Sequence, residues 1–249
     1  GLGYVENPFH PDRNPKNYTY GTNITGSFYA GLHFRKHRMF KTPLGIQVGA
    51  FLIHYSNGRT KSPNTSTNNY GIQLGINYEL EKESPKFTSG QVGNFITEAV
   101  KFNFSFSSGM NDFGIIGLNN NPFYVFTAYA DKRFNRKSSL QLGTELFLTH
   151  SVKEFIKYRA IAFGNDGNIT GDEDWKRVGL FLGHELFIGK LSLITQAGYY
   201  VYYPINYSKQ YYTRIGLKRY LSNNIFVSVM LKTHLAKAES MEYGIGIRL

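Results

Sequence analysis

The chain is 249 residues long, carries a formal charge of +11 and has no cysteine, which excludes a disulfide framework and a thiolate metal site. Its aromatic residues are mostly Tyr and Phe, and 26 glycines stand against 8 prolines, a mix suited to twisted strands and tight turns rather than helices. No apolar run approaches the roughly 20 residues of a membrane-spanning helix, yet alternating strands average out to mildly polar and escape a hydropathy scan.

Gly1–Val5 reads as a short strand, and Glu6–Thr25 as an irregular Pro/Asn-rich loop. No leader pattern opens the chain, as expected of a mature or trimmed form. Gly26–Lys36 and Gly45–Asn57 read as strands, and Gly58–Thr67 as a loop. The period of two is clearest from Tyr70 to Leu80. Tyr70, Ile72, Leu74, Ile76, Tyr78 and Leu80 share one face, while Gly71, Gln73, Gly75, Asn77 and Glu79 share the other. After a loop at Glu81–Thr97, Phe102, Phe104 and Phe106 alternate with Lys101, Asn103, Ser105 and Ser107. A second loop spans Gly109–Asn121, and a short turn falls at Asn135–Lys137. Leu140–Thr149 alternates again, and Lys153–Lys176 reads as a long loop whose Asp166, Asn168, Thr170, Asp172 and Asp174 have an oxygen-ligand look. That run lacks the full calcium-loop spacing and is read as a solvated acidic loop. Short turns at Gly189–Lys190 and Ser222–Asn224 separate the later strands, ending with Ile225–Lys232 and Met241–Leu249.

The polar face carries Glu145, Arg214, Lys218, Lys232 and Arg248, charges that would pair inside a barrel lumen while the apolar face meets lipid. His234, Lys232 and Arg214 are expected to form a lumen network with Glu145, Glu185 and Glu242. Tyr199, Tyr200, Tyr202, Tyr203, Tyr211 and Tyr212 cluster as an interfacial girdle would, and Trp175 reads as a loop or interface anchor. His184 and Glu185 are adjacent and point to opposite faces, so structural roles are favoured over a metal pair. The expectation is all-β: one domain, an antiparallel transmembrane β-barrel with about 12 strands, integral to the outer membrane of a Gram-negative bacterium.

One segment stands apart. Within GIQVGAFLIHYSN, His54 and Ser56 fall on the apolar face, where polar groups are costly unless partnered or functional. They are two residues apart, roughly 6–7 Å along a strand. A hairpin brings Asn68 beside them. Serine needs a neighbouring imidazole to take its proton, and the imidazole needs a third group to fix its tautomer. By itself such a pair suits a polar rim contacting headgroups better than it suits catalysis.

HYSNGRTKSPNTSTNNYGIQLGINYEL resembles the lipid A 3-O-deacylase family and its acyloxyacyl-hydrolase-like members of Bacteroidetes type. GHELFIGKLSLITQAGYYVYYP and NNIFVSVMLKTHLAKAESMEYGIGIRL resemble the longer members of that group. The resemblance implies a barrel that cleaves the ester holding an acyl chain at the 3-position of lipid A, on its lipid-facing wall. His54 would be the general base and Ser56 the nucleophile. Asn64 would help form the oxyanion hole, with Asn57 a weaker candidate. Asn68 stands where the family has a glutamate. Family members carry several strands before the His/Ser strand, so N-terminal strands are expected to be missing from this sequence. Arg59 and Lys61, with Lys82 and Lys86, are candidates for the lipid A phosphates. No cofactor or metal is called for. The expected partners are lipid A, lipopolysaccharide and outer-membrane lipids. A catalytically inactive accessory barrel in an outer-membrane protein complex is the alternative, and a small-solute channel a third. Nucleic acid is disfavoured because the basic residues form no compact stripe.

Overall fold

The fold is described from a computed structural model, covering residues 1–80, 97–115, 120–164, 169–235 and 237–249. Lys82, Lys86, Asp166 and Asn168 lie outside the described residues. No described helix is long and apolar enough to cross a membrane. The chain divides into two compact units, Gly1–Asn57 with Asn64–Asn94, and Gly58–Pro63 with Phe95–Leu249.

The first unit holds a four-stranded antiparallel sheet in the order β1 (Leu2–Tyr4), β2 (Ile24–Lys36), β3 (Leu44–Ser56), β4 (Thr67–Tyr78). Its even-numbered face is apolar and exposed, with Phe28, Leu32, Phe34, Ile46, Val48, Tyr70, Ile72, Leu74 and Ile76. Its odd-numbered face carries Arg35, whose guanidinium donates to Gln47 Oε1 at 2.7 Å. At one end Arg38 Nε and His37 bond the two carboxylate oxygens of Glu79. The hydrogen bonds from Arg38 and then His37 hold that carboxyl below the usual carboxylate range.

The second unit holds β5 (Lys101–Asn111), β6 (Asn121–Arg133), β7 (Ser138–Thr149), β8 (Arg177–Ile188), β9 (Leu191–Tyr202), β10 (Tyr211–Tyr220), β11 (Ile225–His234) and β12 (Lys237–Arg248), with α1 (His150–Phe163) between β7 and β8. These eight strands close into an antiparallel barrel, β12 pairing with β5. The sequence expectation of about 12 strands in one barrel is therefore corrected: the closed barrel has eight. Eight is the size at which side chains fill the interior, and they do. The cavity among Gln141, Arg214, Lys218 and Glu242 is ≈ 40 Å³, room for about one water. That does not support a solute channel.

Burial alternates along the barrel strands, as in β7, where Ser139, Gln141, Glu145 and Phe147 are buried while Leu140, Leu142 and Leu146 are exposed; β12 breaks the pattern at Glu239 and Ser240, which are both buried. The exposed set has the character of a lipid-facing wall, and the buried set is a network of paired charges. Arg214 bonds Glu145 and, at 2.6 Å, Glu242. Lys218 meets Glu185 at 3.0 Å, and Arg248 meets Asp131 at 2.8 Å. Glu239 takes Arg177 (2.6 Å), Lys232 (3.1 Å) and His234 (2.6 Å). Of the network expected from sequence, Arg214 meets Glu145 and Glu242, whereas Lys232 and His234 meet Glu239 instead and Glu185 pairs with Lys218.

A further correction concerns Lys153–Lys176, whose first part belongs to α1 rather than a loop. Val152 and Ile156 are four residues apart and both buried, packed with Ile205, the spacing of a helical stripe. Trp175 packs against that cluster, 4.9 Å from the His150 ring. Of the acidic run, Asp174 accepts from Tyr202 Oη at 2.9 Å. Glu173 takes the backbone N–H groups of Thr170 and Gly171, and these bonds hold its carboxyl below the ordinary range.

Candidate active site

The register of two strand pairs builds the site. His54 pairs directly with Asn68 across β3 and β4, and Ser56 pairs with Gly26 across β3 and β2. Directly opposed residues project to the same face. His54, Ser56 and Asn68 therefore share the even-numbered face with the exposed apolar side chains of Phe28 and Tyr70. Gly26 offers no side chain, so the space beside Ser56 on that face is open.

Asn68 Oδ1 lies 2.8 Å from His54 Nδ1. A carbonyl oxygen only accepts, so this contact requires the proton on Nδ1 and leaves the Nε2 lone pair as the base. Asn64 sits against the serine: its Nδ2 donates to Ser56 Oγ at 3.1 Å, and its Oδ1 accepts the Asn57 backbone N–H at 3.0 Å. Asn57 itself is buried, at 6% exposure. Five sequence candidates thereby fall into two hydrogen-bonded groups, His54 with Asn68, and Ser56 and Asn57 with Asn64. An amide N–H beside a serine oxygen is placed to donate to an oxyanion formed on a carbon bonded to that oxygen.

Arg59 and Lys61 fall in the segment Gly58–Pro63, part of the unit that holds the barrel. Arg59 Nη2 donates to Phe113 O at 2.7 Å, and its guanidinium lies over the Phe113 ring at 5.6 Å. Lys61 is exposed. The sequence reading missed Gly26 and the residues that brace Asn64. The only signal for Gly26 is the hairpin register, which a single strand does not reveal.

Two family models match. The acyloxyacyl hydrolase C-terminal domain matches residues 100–249, and lipid A 3-O-deacylase (PagL) matches residues 1–77. No curated protein matches the chain. Among solved structures, outer membrane phospholipase A from Escherichia coli is 11% identical, with 91% of this chain and 79% of that one covered, at a TM-score of 0.26. The calcium-bound dimer of the Salmonella typhi outer membrane phospholipase is 12% identical over the same shares, at 0.27. The deacylase match takes in all five candidate residues and the hydrolase match the whole closed barrel, and over these matches the chain belongs to the lipid A 3-O-deacylase family with its C-terminal acyloxyacyl hydrolase domain.

Proposed function

We propose that this outer-membrane β-barrel protein removes the acyl chain ester-linked at the 3-position of lipid A, using Ser56 as nucleophile and His54 as base. The observation that carries the reading is the His54 Nδ1–Asn68 Oδ1 contact of 2.8 Å on the face that also presents Ser56. It selects the one imidazole tautomer able to accept the serine proton. Ser56 Oγ attacks the ester carbonyl while His54 Nε2 takes its proton. The oxyanion is held by Asn64 Nδ2, whose amide is fixed from its oxygen end by the Asn57 backbone N–H. The intermediate collapses, the sugar oxygen leaves with the proton from His54, and the acyl group stays on Ser56. Water, deprotonated by His54, then attacks the acyl carbonyl, the bond to Ser56 Oγ breaks as His54 returns the proton to it, and the fatty acid is released. The exposed apolar side chains beside the site give the acyl chain a surface to lie on.

Asn68 fixes the tautomer but adds no charge to stabilise the imidazolium. A charged acceptor makes a hydrogen bond roughly twice as strong, so Asn68→Glu is expected to raise kcat by roughly 10-fold, and Asn68→Ala to lower it by a similar factor. Release of hydroxy fatty acid from purified lipid A by the three proteins tests this. Equal rates for all three would remove Asn68 from the mechanism. Gly26→Leu should obstruct the space beside Ser56 and lower kcat/KM by roughly 10-fold, read in the same assay with the folded state checked by heat-shifted gel mobility.

The second reading is a non-catalytic accessory barrel in an outer-membrane protein complex. It is favoured by the uncharged Asn68, and a complete absence of hydrolysis by the Asn68→Glu protein as well as the native one would select it.

A further inference from the structure

The segment between β1 and β2 is folded on itself. Asn14 Nδ2 and Asn17 Nδ2 each donate to Asn7 O at 2.8 Å. Asn17 Oδ1 accepts from the backbone N–H groups of Thr19 and Tyr20 at 3.1 and 3.2 Å. His10 Nδ1 accepts from those of Asp12 and Arg13, both at 3.2 Å. Phe9 N donates to Tyr20 O at 2.7 Å. These bonds fix where Thr19 and Tyr20 sit.

The same two residues grip the connection between β3 and β4. Tyr20 and Asn64 form an antiparallel bridge. Thr65 N donates to Thr19 O at 3.2 Å, and Thr65 Oγ1 to Tyr18 O at 3.0 Å. Tyr20 Oη donates to Thr67 Oγ1 at 2.6 Å. Between those anchors Ser66 has a φ of 64°, a left-handed conformation that an ordinary residue holds only where its surroundings impose it. The short run carrying Asn64 is thus held on one side by Ser56 and Asn57 and on the other by Tyr20.

We infer that Tyr20 is a positioning residue for the Ser56 site: the folded β1–β2 segment braces the backbone of Asn64 so that its amide stays aimed at the serine. This rests on the Ser56 reading above. Oxyanion donors act because they are preorganised, and a misplacement of about 1 Å can cost roughly 100-fold in rate. Tyr20 touches no reacting atom; it acts through Asn64.

The test uses Tyr20→Phe and Thr67→Ala, which delete opposite ends of one hydrogen bond without opening the β ladder, and the double variant. Each single change is expected to lower kcat by roughly 2- to 10-fold with KM within about twofold. The double variant is expected to fall no further, because its partners share one interaction. Hydrogen exchange at Asn57 and at residues 64–67 should quicken in all three, a readout that needs no activity. Unchanged kcat, or exchange as slow as in the native protein, would overturn the inference. If those results came with an inactive Ser56→Ala protein, the brace alone would fail. A Ser56→Ala protein as active as the native one would instead remove the Ser56 reading itself.

Discussion

Ser56→Ala is expected to lower hydrolysis of the lipid A acyl ester by at least about 1,000-fold, leaving the small rate that binding and oxyanion donors supply without a nucleophile. The serine oxygen forms the covalent bond, so no neighbour replaces it. His54→Ala should fall nearly as far, because the hydroxyl is a poor nucleophile while it keeps its proton. The double variant should be no worse than Ser56→Ala, since groups that act as one unit are not additive. Rates on purified lipid A check this, together with covalent labelling by a fluorophosphonate, which should mark the native protein and neither single variant. Labelling of Ser56→Ala at the native level would place the nucleophile elsewhere.

The largest expected effect on stability lies in the barrel. Glu239 is buried, at 5% exposure, and bonds Arg177, Lys232 and His234 at once. Arg177 and Lys232 are each 1% exposed. Glu239→Gln keeps the size of the side chain and removes the charge that compensates both cations, so the loss is electrostatic rather than one of packing. Breaking a buried pair by neutralising one partner costs about 3–5 kcal/mol, and here two cations lose the same partner. Guanidinium-induced unfolding in lipid vesicles should show a lower midpoint with an unchanged slope. By contrast, Lys157→Ala should leave the midpoint unchanged, because its pair with Glu154 on α1 is exposed on both sides. A Glu239→Gln protein as stable as the native one would mean that Arg177 and Lys232 do not depend on Glu239.

The period of two carried most of the architecture into the sequence. It placed the apolar and polar faces of Tyr70–Leu80 and Leu140–Thr149 as the structure has them, because side chains alternate along a strand and a slip of one residue would exchange the two faces. It could not carry closure. Nothing in β4 or β5 alone says that β12 pairs with β5, and so the division into a sheet and an eight-stranded barrel was invisible. Glu239 was missed for a local reason. The pairing of β11 with β12 shifts between Lys232 and Thr233, and a bulge reverses the faces beyond it. Counting back by twos from Met241 puts Glu239 outside, whereas the bulge turns it inward beside Lys232. Helix α1 was missed because its stripe is narrow, with only Ser151, Val152 and Ile156 buried.

At the site, His54, Ser56 and Asn68 were legible because a hairpin register follows from the alternation itself. Asn64 sits in a loop, where spacing says little, and it entered through the resemblance of the surrounding run. Its contact with Ser56 is made inside one connection, and the Tyr20 brace behind it is a long-range pairing with a distant segment. No periodic signal encodes them.

The most direct test is mass spectrometry of lipid A from outer membranes of cells producing the native protein or Ser56→Ala, with both shown to be folded there by heat-shifted gel mobility. The account predicts loss of one 3-position hydroxyacyl chain with the native protein and full-length lipid A with Ser56→Ala. Identical spectra from the two would contradict it.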